Sequence, residues 1–572
     1  MSEQSSYWGK VLHSRLSRRR ALAASGGLAI GAVVLSACGG GDGGEGDQAT
    51  KPKEVLDNTK GVQGRKLIWQ SYGDPGGGLE QITKRNPGVS GNMAGLTHDG
   101  LLDFAYGQPK YPGIGTEVLP ALASSLPEIS ADKLTVTYKI RPGAKFHNGR
   151  EVTSADAKWT FDTYAFANES AWKNDYSFID RTEAPDASTF VVKTKWPHAD
   201  IMQTMAFKDG GAILAREHHE SGASDKSLMG SGPFLFVSYE PPLITRYKRN
   251  PNYHTKPFPY FEEIDRLGTA DREKTISDII AKAVHLTYWF PPEERERIRT
   301  ARPDAQMFKY PRPGEGQVYI RNDKPPFNDK RVRQAMSMSY DRKQSITAIS
   351  VGEGEPDQAL TYTAPFGFRR PKDLGNAAKY YEYNVAEAKK LLSAASVALP
   401  IKAEMPTWNA TVIGPKHVEE ITLITTMWKN NGVIDAPLKE ETFGQFNPRF
   451  TGQYDTLHWG PNVTPTLPDF GFQLKLKYSP PADWTKPHLN LSYVNIARLT
   501  ELLQKQLSQF DVQQRKETFR EIEDILAEEM VQVSGVSGNQ GWFADPSLKN
   551  AQVPRDAYNG AVPWLKYWWF GT

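Results

Sequence analysis

Residues 134–157 of the chain read LTVTYKIRPGAKFHNGREVTSADA. The first seven residues alternate between apolar and polar side chains, which is typical of a half-buried β-strand. Two turns follow, at Arg141-Pro142-Gly143 and at Phe146 to Gly149, because proline fixes φ and glycine admits left-handed backbone. Thr153 with Asp156 three residues later is a helix-capping pattern. The stretch therefore predicts a strand, two turns and a helix in immediate succession.

Helical and strand patterns alternate through the rest of the chain. Predicted strands lie at 66–70, 436–441 and 454–459, and predicted helices at 332–350, 385–395, 418–430 and 499–531, the last broken near Asp511. Strands that alternate with helices predict an α/β fold with a mainly parallel sheet. In such sheets a ligand binds at the carboxyl ends of the strands.

Length and composition favour a soluble protein of several folding units. A chain of 572 residues is too long for one hydrophobic core, so we expect two or three units. The sequence holds 14 Trp, 24 Tyr and 25 Phe, which is enough to fill the cores and also to line a binding cleft.

The charge balance excludes a nucleic-acid-binding protein. The formal net charge is +3, but residues 1–37 hold five basic side chains and one acidic one, so the remainder carries 64 basic and 65 acidic groups. A nucleic-acid-binding protein would show a dense basic stripe in the folded part.

The N-terminus has the order of an export signal. Ser17-Arg18-Arg19-Arg20-Ala21-Leu22 resembles a twin-arginine motif, with Arg18 and Arg19 as the pair, and an apolar run follows to Ala37. That run is short and rich in glycine and alanine, which is typical of a signal peptide rather than a membrane span. We therefore predict that residues 1–37 are removed on export.

The single cysteine of the chain, Cys38, stands where a lipid anchor is expected. Leu35-Ser36-Ala37-Cys38 resembles the bacterial lipobox, in which the cysteine sulfur is lipidated and becomes the mature N-terminus. Residues 38–62 begin with a glycine-rich run that predicts a flexible tether. The expected location is therefore the outer face of the cytoplasmic membrane.

Several motifs together resemble family 5 of the extracellular solute-binding proteins, which are the oligopeptide-, dipeptide- and nickel-binding receptors of ABC importers. Residues 134–157 are similar to the signature of that family, and further matches follow in the same order along most of residues 100–540. These are Val118-Leu119-Pro120-Ala121-Leu122-Ala123, Gly230-Ser231-Gly232-Pro233-Phe234, Lys248-Arg249-Asn250-Pro251-Asn252-Tyr253 and the run from Pro325 to Ala335.

The resemblance implies an α/β fold of the periplasmic-binding-protein type (cluster C), with two lobes joined by a hinge. It places lobe I at 63–270 with an inserted subdomain at about 100–215, lobe II at 271–535, and a C-terminal return to lobe I at 536–572. A ligand that contacts both lobes favours the closed state. The implied partners are a small-molecule ligand, the permease subunits of an importer and, through the lipid, the membrane; a monomer without a cofactor is expected.

The chain departs from the family pattern at two places. The family often has an acidic residue shortly before the chain crosses to the second lobe, and here that position is His285. Peptide-binding members tend to carry an acidic residue shortly after a tryptophan at a strand end, and here Asn462 follows Trp459 in that position. Asp469 is the alternative carboxylate if the loop curls back.

Three aromatic residues are candidates for the wall of the cleft. Trp459 is predicted at the end of a strand, Trp408 in a loop that faces the same cleft, and Tyr72 just after the first strand. Trp459 is the strongest candidate, and the alternative for it is a place in the core. With Asn462 and Asp469 these residues form the predicted ligand site.

Other chemistry has little support in the sequence. His218-His219-Glu220 lacks the spacing of a zinc site, so we interpret it as solvated surface. No Gly-x-Ser-x-Gly nucleophile motif and no P-loop occur. Two alternatives to an importer receptor stay open: a binding protein that serves a sensor or acts as a chaperone, and, with less support, an exported hydrolase.

Overall fold

The computed structural model of the chain describes twelve stretches, and residues 55–572 belong to one compact unit. The described residues are 60–72, 79–83, 94–105, 118–241, 243–269, 271–290, 292–311, 316–360, 369–410, 415–461, 470–551 and 563–571.

The strands of these stretches are numbered here in chain order. They are β1 (Lys66–Tyr72), β2 (Leu102–Phe104), β3 (Val118–Pro120), β4 (Glu128–Ile129), β5 (Thr135–Lys139), β6 (Ile179–Asp186), β7 (Thr189–Thr194), β8 (Phe234–Glu240), β9 (Ile244–Arg249), β10 (Glu263–Thr269), β11 (Leu286–Phe290), β12 (Gln306–Pro311), β13 (Gln317–Ile320), β14 (Gly354–Pro356), β15 (Ile401–Lys402), β16 (Met405–Trp408), β17 (Ile434–Asp435), β18 (Leu438–Glu441), β19 (Leu457–Gly460), β20 (Gln532–Ser534), β21 (Val536–Ala544), β22 (Leu548–Lys549) and β23 (Trp569–Phe570).

The α-helices of the described stretches are mostly short. They are Gly95–Thr97, Ser154–Phe166, Ile201–Ala206, Lys208–Gly211, Arg216–Glu220, Arg272–Ile280, Pro292–Ala301, Lys330–Met338, Arg342–Ile349, Val385–Ala394, Pro415–Asn430, Phe443–Phe446, Phe470–Tyr478, Ala497–Lys505 and Val512–Glu529. Within the described stretches, none of them combines the length and the apolar character that crossing a bilayer requires.

The centre of the molecule is an eight-stranded sheet with the order β12-β21-β11-β1-β10-β9-β8 and with β14 paired to β21. We call it the large sheet. Strand β1 runs parallel to both of its neighbours, β10 and β11, while the other pairs of this sheet are antiparallel. The prediction of a mainly parallel sheet is therefore wrong, because in the described large sheet only the two pairs formed by β1 are parallel, and β8, β9 and β10 follow one another as antiparallel neighbours.

A second sheet, with the order β4-β5-β7-β6, is inserted between β3 and β8 and covers its own core. We call residues 118–215 the inserted subdomain. Its helix Ser154–Phe166 begins with the predicted capping box, in which Thr153 and Asp156 satisfy each other's backbone N–H groups. Phe161, Tyr164 and Tyr176 from this helix and the segment after it are fully buried against the sheet. The quoted stretch 134–157 therefore folds as predicted.

Strands β13 and β15 to β20 form three small sheets that we call, with the helices between residues 317 and 534, the second lobe. The pairs β2-β3 and β22-β23 form two more small sheets. The three-stranded sheet has the order β19-β13-β20, and the pairs β15-β17 and β16-β18 are parallel. One apolar core lies under helix Pro415–Asn430, and another lies between helices Ala497–Lys505 and Val512–Glu529. The lobe boundaries at 270 and 535 stay predictions; β11 and β12 still belong to the large sheet.

The helix predicted at 332–350 is wrong as a single element. The structure has Lys330–Met338 and Arg342–Ile349, separated by a break at Ser339. Asp341 accepts a hydrogen bond from the backbone N–H of Gln344 and so begins the second helix. By contrast, the predicted break near Asp511 is confirmed, since Asp511 caps helix Val512–Glu529 in the same way.

Three of the motifs quoted above meet at one peptide group. The carbonyl oxygen of Gly232 accepts hydrogen bonds from His147 Nε2 at 3.1 Å and from Asn250 Nδ2 at 3.0 Å. The backbone N–H of Gly232 donates to Thr97 O, and that of His147 donates to Gly230 O. A side chain at residue 232 would place its Cβ 2.6 Å from the carbonyl carbon of Thr97. The motifs therefore join the inserted subdomain to the large sheet.

His147 is held in its neutral form at this junction. Burial lowers its pKa to about 4, although the hydrogen bond to Gly232 and the nearby carboxylate of Asp99 act in the opposite direction. Its Nδ1 is enclosed and has no hydrogen-bond partner within the described stretches. Protonation of His147 would therefore bury a charge that its surroundings stabilise less well than water does.

We predict that Gly232→Ala destabilises the protein, because the added Cβ meets backbone that cannot move away cheaply. The expected loss is about 1–3 kcal/mol, seen as a lower temperature of the first thermal transition. The control is Gly444→Ala, since Gly444 is an exposed residue of helix Phe443–Phe446 with no atom within 4 Å of the added carbon. Equal melting temperatures for the two variants would contradict the role of the junction.

We also predict that the protein loses stability as the pH falls from about 6.5 towards 4. The unfolded chain takes up a proton at His147 in this window, whereas the folded protein with its pKa of about 4 does not. One such group removes about 1.4 kcal/mol per pH unit. His147→Gln keeps an N–H donor and cannot titrate, so its unfolding free energy, measured by urea denaturation at several pH values, should depend less on pH than that of the wild type. Parallel curves would refute this.

Candidate ligand-binding site

Two predicted site residues lie at strand ends, where a ligand of an α/β protein is expected. Tyr72 is the last residue of β1 and lies opposite Thr269 of β10 in parallel register. The prediction of Trp408 in a loop is wrong, because Trp408 is the last residue of β16 and lies opposite Glu441 of β18. The two residues therefore end one strand in the large sheet and one in the second lobe.

The ring of Trp408 is half-buried and belongs to an aromatic group. Its centroid is 5.2 Å from that of Phe446 and 4.8 Å from that of Phe450. Glu441, its neighbour across the two strands, is paired with Arg449 at 2.6 Å, so the carboxylate is neutralised. Trp408 therefore lies in an apolar setting and keeps part of its surface exposed.

Trp459 occupies a different setting. It lies in β19 opposite Val318, and its side chain is fully buried. The indole N–H donates to the carbonyl oxygen of His417 at 3.1 Å, and a Cβ on Gly316 would lie 2.4 Å from the ring. In this structure the ring has no free surface, so ligand contact by Trp459 stays a prediction and its visible role is packing.

The side chain of Trp459 lies on the face of β19 that is opposite to the aromatic group of Trp408. His458, the preceding residue, points to the opposite face of β19, where its ring stacks on Tyr319 at 4.7 Å. Phe446 and Phe450 contact both His458 and Trp408. The aromatic group therefore comprises Trp408, Phe446, Phe450, His458 and Tyr319, and sequence analysis missed it because its rings come from four separate segments.

The ring of His458 is buried, and its nitrogen atoms make no hydrogen bonds with the described residues. Burial, with a smaller effect of Arg449, holds the pKa of His458 well below the usual value. The ring is therefore neutral at physiological pH and acts as an aromatic surface rather than as a charge.

A cation borders the aromatic group. The guanidinium of Arg321 lies 3.5 Å from the ring centroid of Tyr493 and forms an ion pair with Asp323 at 2.6 Å. Trp484 stacks on the same Tyr493 ring, with a centroid distance of 4.9 Å. The surroundings of the group are thus aromatic surfaces and paired charges, which can bind apolar and planar groups.

The departure from the family pattern at His285 has a structural explanation. The ring Nδ1 of His285 accepts a hydrogen bond from the backbone N–H of Ile68 in β1 at 2.9 Å, and the backbone N–H of His285 donates to Ile68 O. Burial lowers the pKa of His285, and the neutral ring supplies the acceptor. The residue therefore supports the central strand of the large sheet.

The remaining predicted residues lie outside the described stretches. They are Asn462 and Asp469 of the site, Cys38 of the anchor, and Arg18 and Arg19 of the export signal.

The interpretation of His218 and His219 as solvated surface needs correction. The side chain of His219 is only 6% exposed, lies 5.9 Å from Trp159 and faces Glu80. Burial raises the pKa of Glu80, but hydrogen bonds from His219, Thr83 and the backbone outweigh it and bring the pKa to about 2. His218 contacts Ser227 O at 3.0 Å. Because neighbouring residues of a helix point in different directions, the two rings contact different partners. Both rings therefore help to hold the surrounding loop.

Clusters of three or more potential metal-binding side chains are absent from the described residues. The carboxylates around the aromatic group, Glu441 and Asp323, are both paired with arginine. Such an arrangement offers surfaces for binding rather than an activated nucleophile or base.

The chain is similar in sequence to several named binding proteins. The dipeptide-binding protein of Escherichia coli K12 is 23% identical over 432 residues, which cover 70% of this chain and 76% of that protein. OppA, the oligopeptide-binding protein of Bacillus subtilis 168, is 24% identical over 574 residues and covers 92% and 96%. The chain spans 61% of the di/tripeptide-binding protein 2 of Pseudomonas aeruginosa, at 26% identity over 341 residues.

Solved structures show the same fold. AgaA from A.tumefacien R10, in complex with agropinic acid, superposes with a TM-score of 0.71 at 21% identity and covers 89% of this chain and 99% of that one. DppA from Helicobacter pylori, in complex with the peptide STSA, gives a TM-score of 0.70 at 17% identity with the same coverage. These likenesses confirm the predicted two-lobe fold.

The middle of the chain shows which family the protein belongs to. Residues 117–481, which include the inserted subdomain and most of the second lobe, match the family model described as bacterial extracellular solute-binding proteins, family 5 Middle. This match covers more than half of the sequence and contains the motifs that meet at Gly232. The chain therefore belongs to family 5 of the bacterial extracellular solute-binding proteins.

Proposed function

We propose that the chain is the receptor of an ABC importer that captures a small solute between its two lobes and delivers it to the permease. The observation that carries this proposal is the family match over residues 117–481. The receptor acts by binding and closure as a monomer, without a catalytic step and without a cofactor.

A peptide or a peptide-like molecule is the solute class that we propose. Support comes from the names of relatives, several of which are dipeptide- or oligopeptide-binding proteins. AgaA, solved with agropinic acid, is a structural neighbour with another kind of ligand, so a solute without a peptide bond is the alternative. The residue at position 462 bears on the choice between the two solute classes. The amine of a peptide needs a carboxylate near that position, and since Asn462 has none, Asp469 would have to supply it.

Within the second lobe, we place Trp408 at the ligand and Trp459 beneath it. Trp408 is half-buried at a strand end among aromatic rings, so it can stack on an apolar side chain of the solute. Trp459 is fully buried and supports the strand that leads to Asn462. Tyr72 contributes from the end of β1 in the first lobe.

The receptor reaches its place of action through the N-terminal segment. The twin-arginine pair Arg18 and Arg19 directs export, removal of residues 1–37 exposes Cys38, and lipid on Cys38 holds the protein at the outer face of the cytoplasmic membrane. Residues 38–62 act as the tether between lipid and the first lobe.

Native mass spectrometry of the protein purified without denaturation tests the proposed function. A bound mass that fragments into amino acids supports a peptide receptor, and a non-peptide mass supports the alternative solute class. Steady conversion of a supplied peptide into its amino acids would overturn the receptor proposal in favour of an exported hydrolase.

We predict that Trp408→Ala weakens binding of the co-purified solute by on the order of 2 kcal/mol, the scale of a binding hot spot, and leaves the melting temperature of the unliganded protein nearly unchanged. Trp459→Ala is the comparison: removal of its buried ring should cost about 3–5 kcal/mol of stability. Thermal melts with and without ligand separate the two effects. If Trp408→Ala lowers only the unliganded melting temperature, its place at the ligand is wrong.

We predict that Cys38→Ser releases the protein from the membrane fraction, because each acyl CH₂ that is buried contributes about 0.8 kcal/mol to anchoring. Arg18→Lys combined with Arg19→Lys should retain the chain in the cytoplasm. Cell fractionation measures both outcomes. A Cys38→Ser protein that stays membrane-bound after a salt wash would argue against lipidation.

A further inference from the structure

The inserted subdomain and the second lobe touch through a contact that is remote in sequence. The backbone N–H of Ala199 donates to Leu507 O at 2.8 Å, and Gln473 Nε2 donates to Asp175 Oδ1 at 3.0 Å. The contact therefore connects the part of the chain before residue 215 with the helical layer after residue 470.

At the centre of this contact lies a buried ion pair. Arg515 Nη1 and Nη2 each donate to one carboxylate oxygen of Asp200 at 2.5 Å. The two side chains are only 5% and 3% exposed. The backbone N–H of Gly471 donates to the same carboxylate at 3.2 Å, and Gln506 Oε1 accepts from Arg515. Both ions are therefore fully paired and almost completely dehydrated.

The position of Asp200 makes the pairing informative. Asp200 precedes helix Ile201–Ala206 at the N-cap position, where an aspartate ordinarily accepts a hydrogen bond from its own helix. Here the side chain makes no such cap and reaches the second lobe instead. Asp200 thus forms an ion pair between the lobes instead of a capping hydrogen bond within its own helix.

Aromatic rings also lie in this contact, and the guanidinium of Arg515 is 5.5 Å from the ring centroid of Phe519. His198 stacks on Phe178 at 4.1 Å, and Phe472 of the second lobe meets the edge of His198 at 6.3 Å. Trp196 stacks on Phe472 at 6.3 Å, and the ammonium of Lys475 lies 5.9 Å from the Trp196 ring. When the lobes part, these surfaces and both ions return to water.

We propose that Asp200 and Arg515 form a latch that defines the closed arrangement of the two lobes and so sets ligand affinity from outside the ligand site. The proposal rests on the proposed function, in which closure captures the solute. Separation hydrates both ions, so the pair adds little net adhesion. Burial of only one ion is strongly unfavourable, so the lobes close fully only in the register that brings Asp200 to Arg515.

The latch predicts an asymmetry between single and double variants. Asp200→Asn leaves the charge of Arg515 without a partner in the closed state and should lower the closed-to-open ratio by roughly a hundredfold or more. Asp200→Asn combined with Arg515→Gln buries no charge, and two amides can pair, so this double variant should close again.

Spin-label distance measurement on the full chain can test this. Cys38→Ser removes the single cysteine, and Lys173→Cys with Glu517→Cys places labels on exposed positions of the inserted subdomain and the second lobe. Each protein is measured as purified and with a tryptic digest of casein. The control is Arg498→Gln, which removes an exposed ion pair with Glu521 inside the second lobe.

The latch is supported if the short distance of the wild type is lost in Asp200→Asn, returns in the double variant and persists in Arg498→Gln. It is overturned if the single variant keeps the short distance, if the double variant stays open, if the control opens as well, or if the wild type shows no short distance in either sample. If the wild type shows the short distance as purified and the digest does not change that distance, the result counts against a peptide solute and not against the latch.

Discussion

The fold depends on one carbonyl group, that of Gly232, which accepts hydrogen bonds from both His147 and Asn250. The two donors come from segments about a hundred residues apart, and the backbone passes too close to Thr97 to allow a side chain. Because a buried carbonyl must be satisfied, this geometry fixes how the inserted subdomain sits on the large sheet. The motifs that identify the family are therefore parts of the scaffold.

The same observation explains what the sequence could predict. Scaffold residues carry a local pattern, so the capping box at Thr153 and the break at Asp511 follow from sequence. The mainly parallel sheet does not, because strand direction depends on connections between distant segments. The single helix at 332–350 failed because the capping signal of Asp341 competes with an unbroken apolar pattern.

Site residues carry no comparable signal. Alternation along β19 places Trp459 and His458 on opposite faces, yet it does not tell which face is covered. The side chain of Trp459 is covered by the segment around His417, and the aromatic group with Trp408 lies on the other face. A tryptophan at a strand end can thus belong either to the wall of a ligand cleft or to the hydrophobic core. Only the packing of segments remote in sequence decides between the two.

The distribution of buried charge distinguishes permanent contacts from separable ones. Lys566 and Asp103 form a buried pair at 2.7 Å that fastens the C-terminal turn to β2, beside the apolar core that contains Trp564 and Trp568. The pair of Arg515 and Asp200 lies instead between two bodies whose apolar cores are separate. A purely apolar contact would form in other registers as well, since burial of apolar area is favourable in any register. A contact centred on ions demands one register and costs little to open, as a receptor that must release its solute requires.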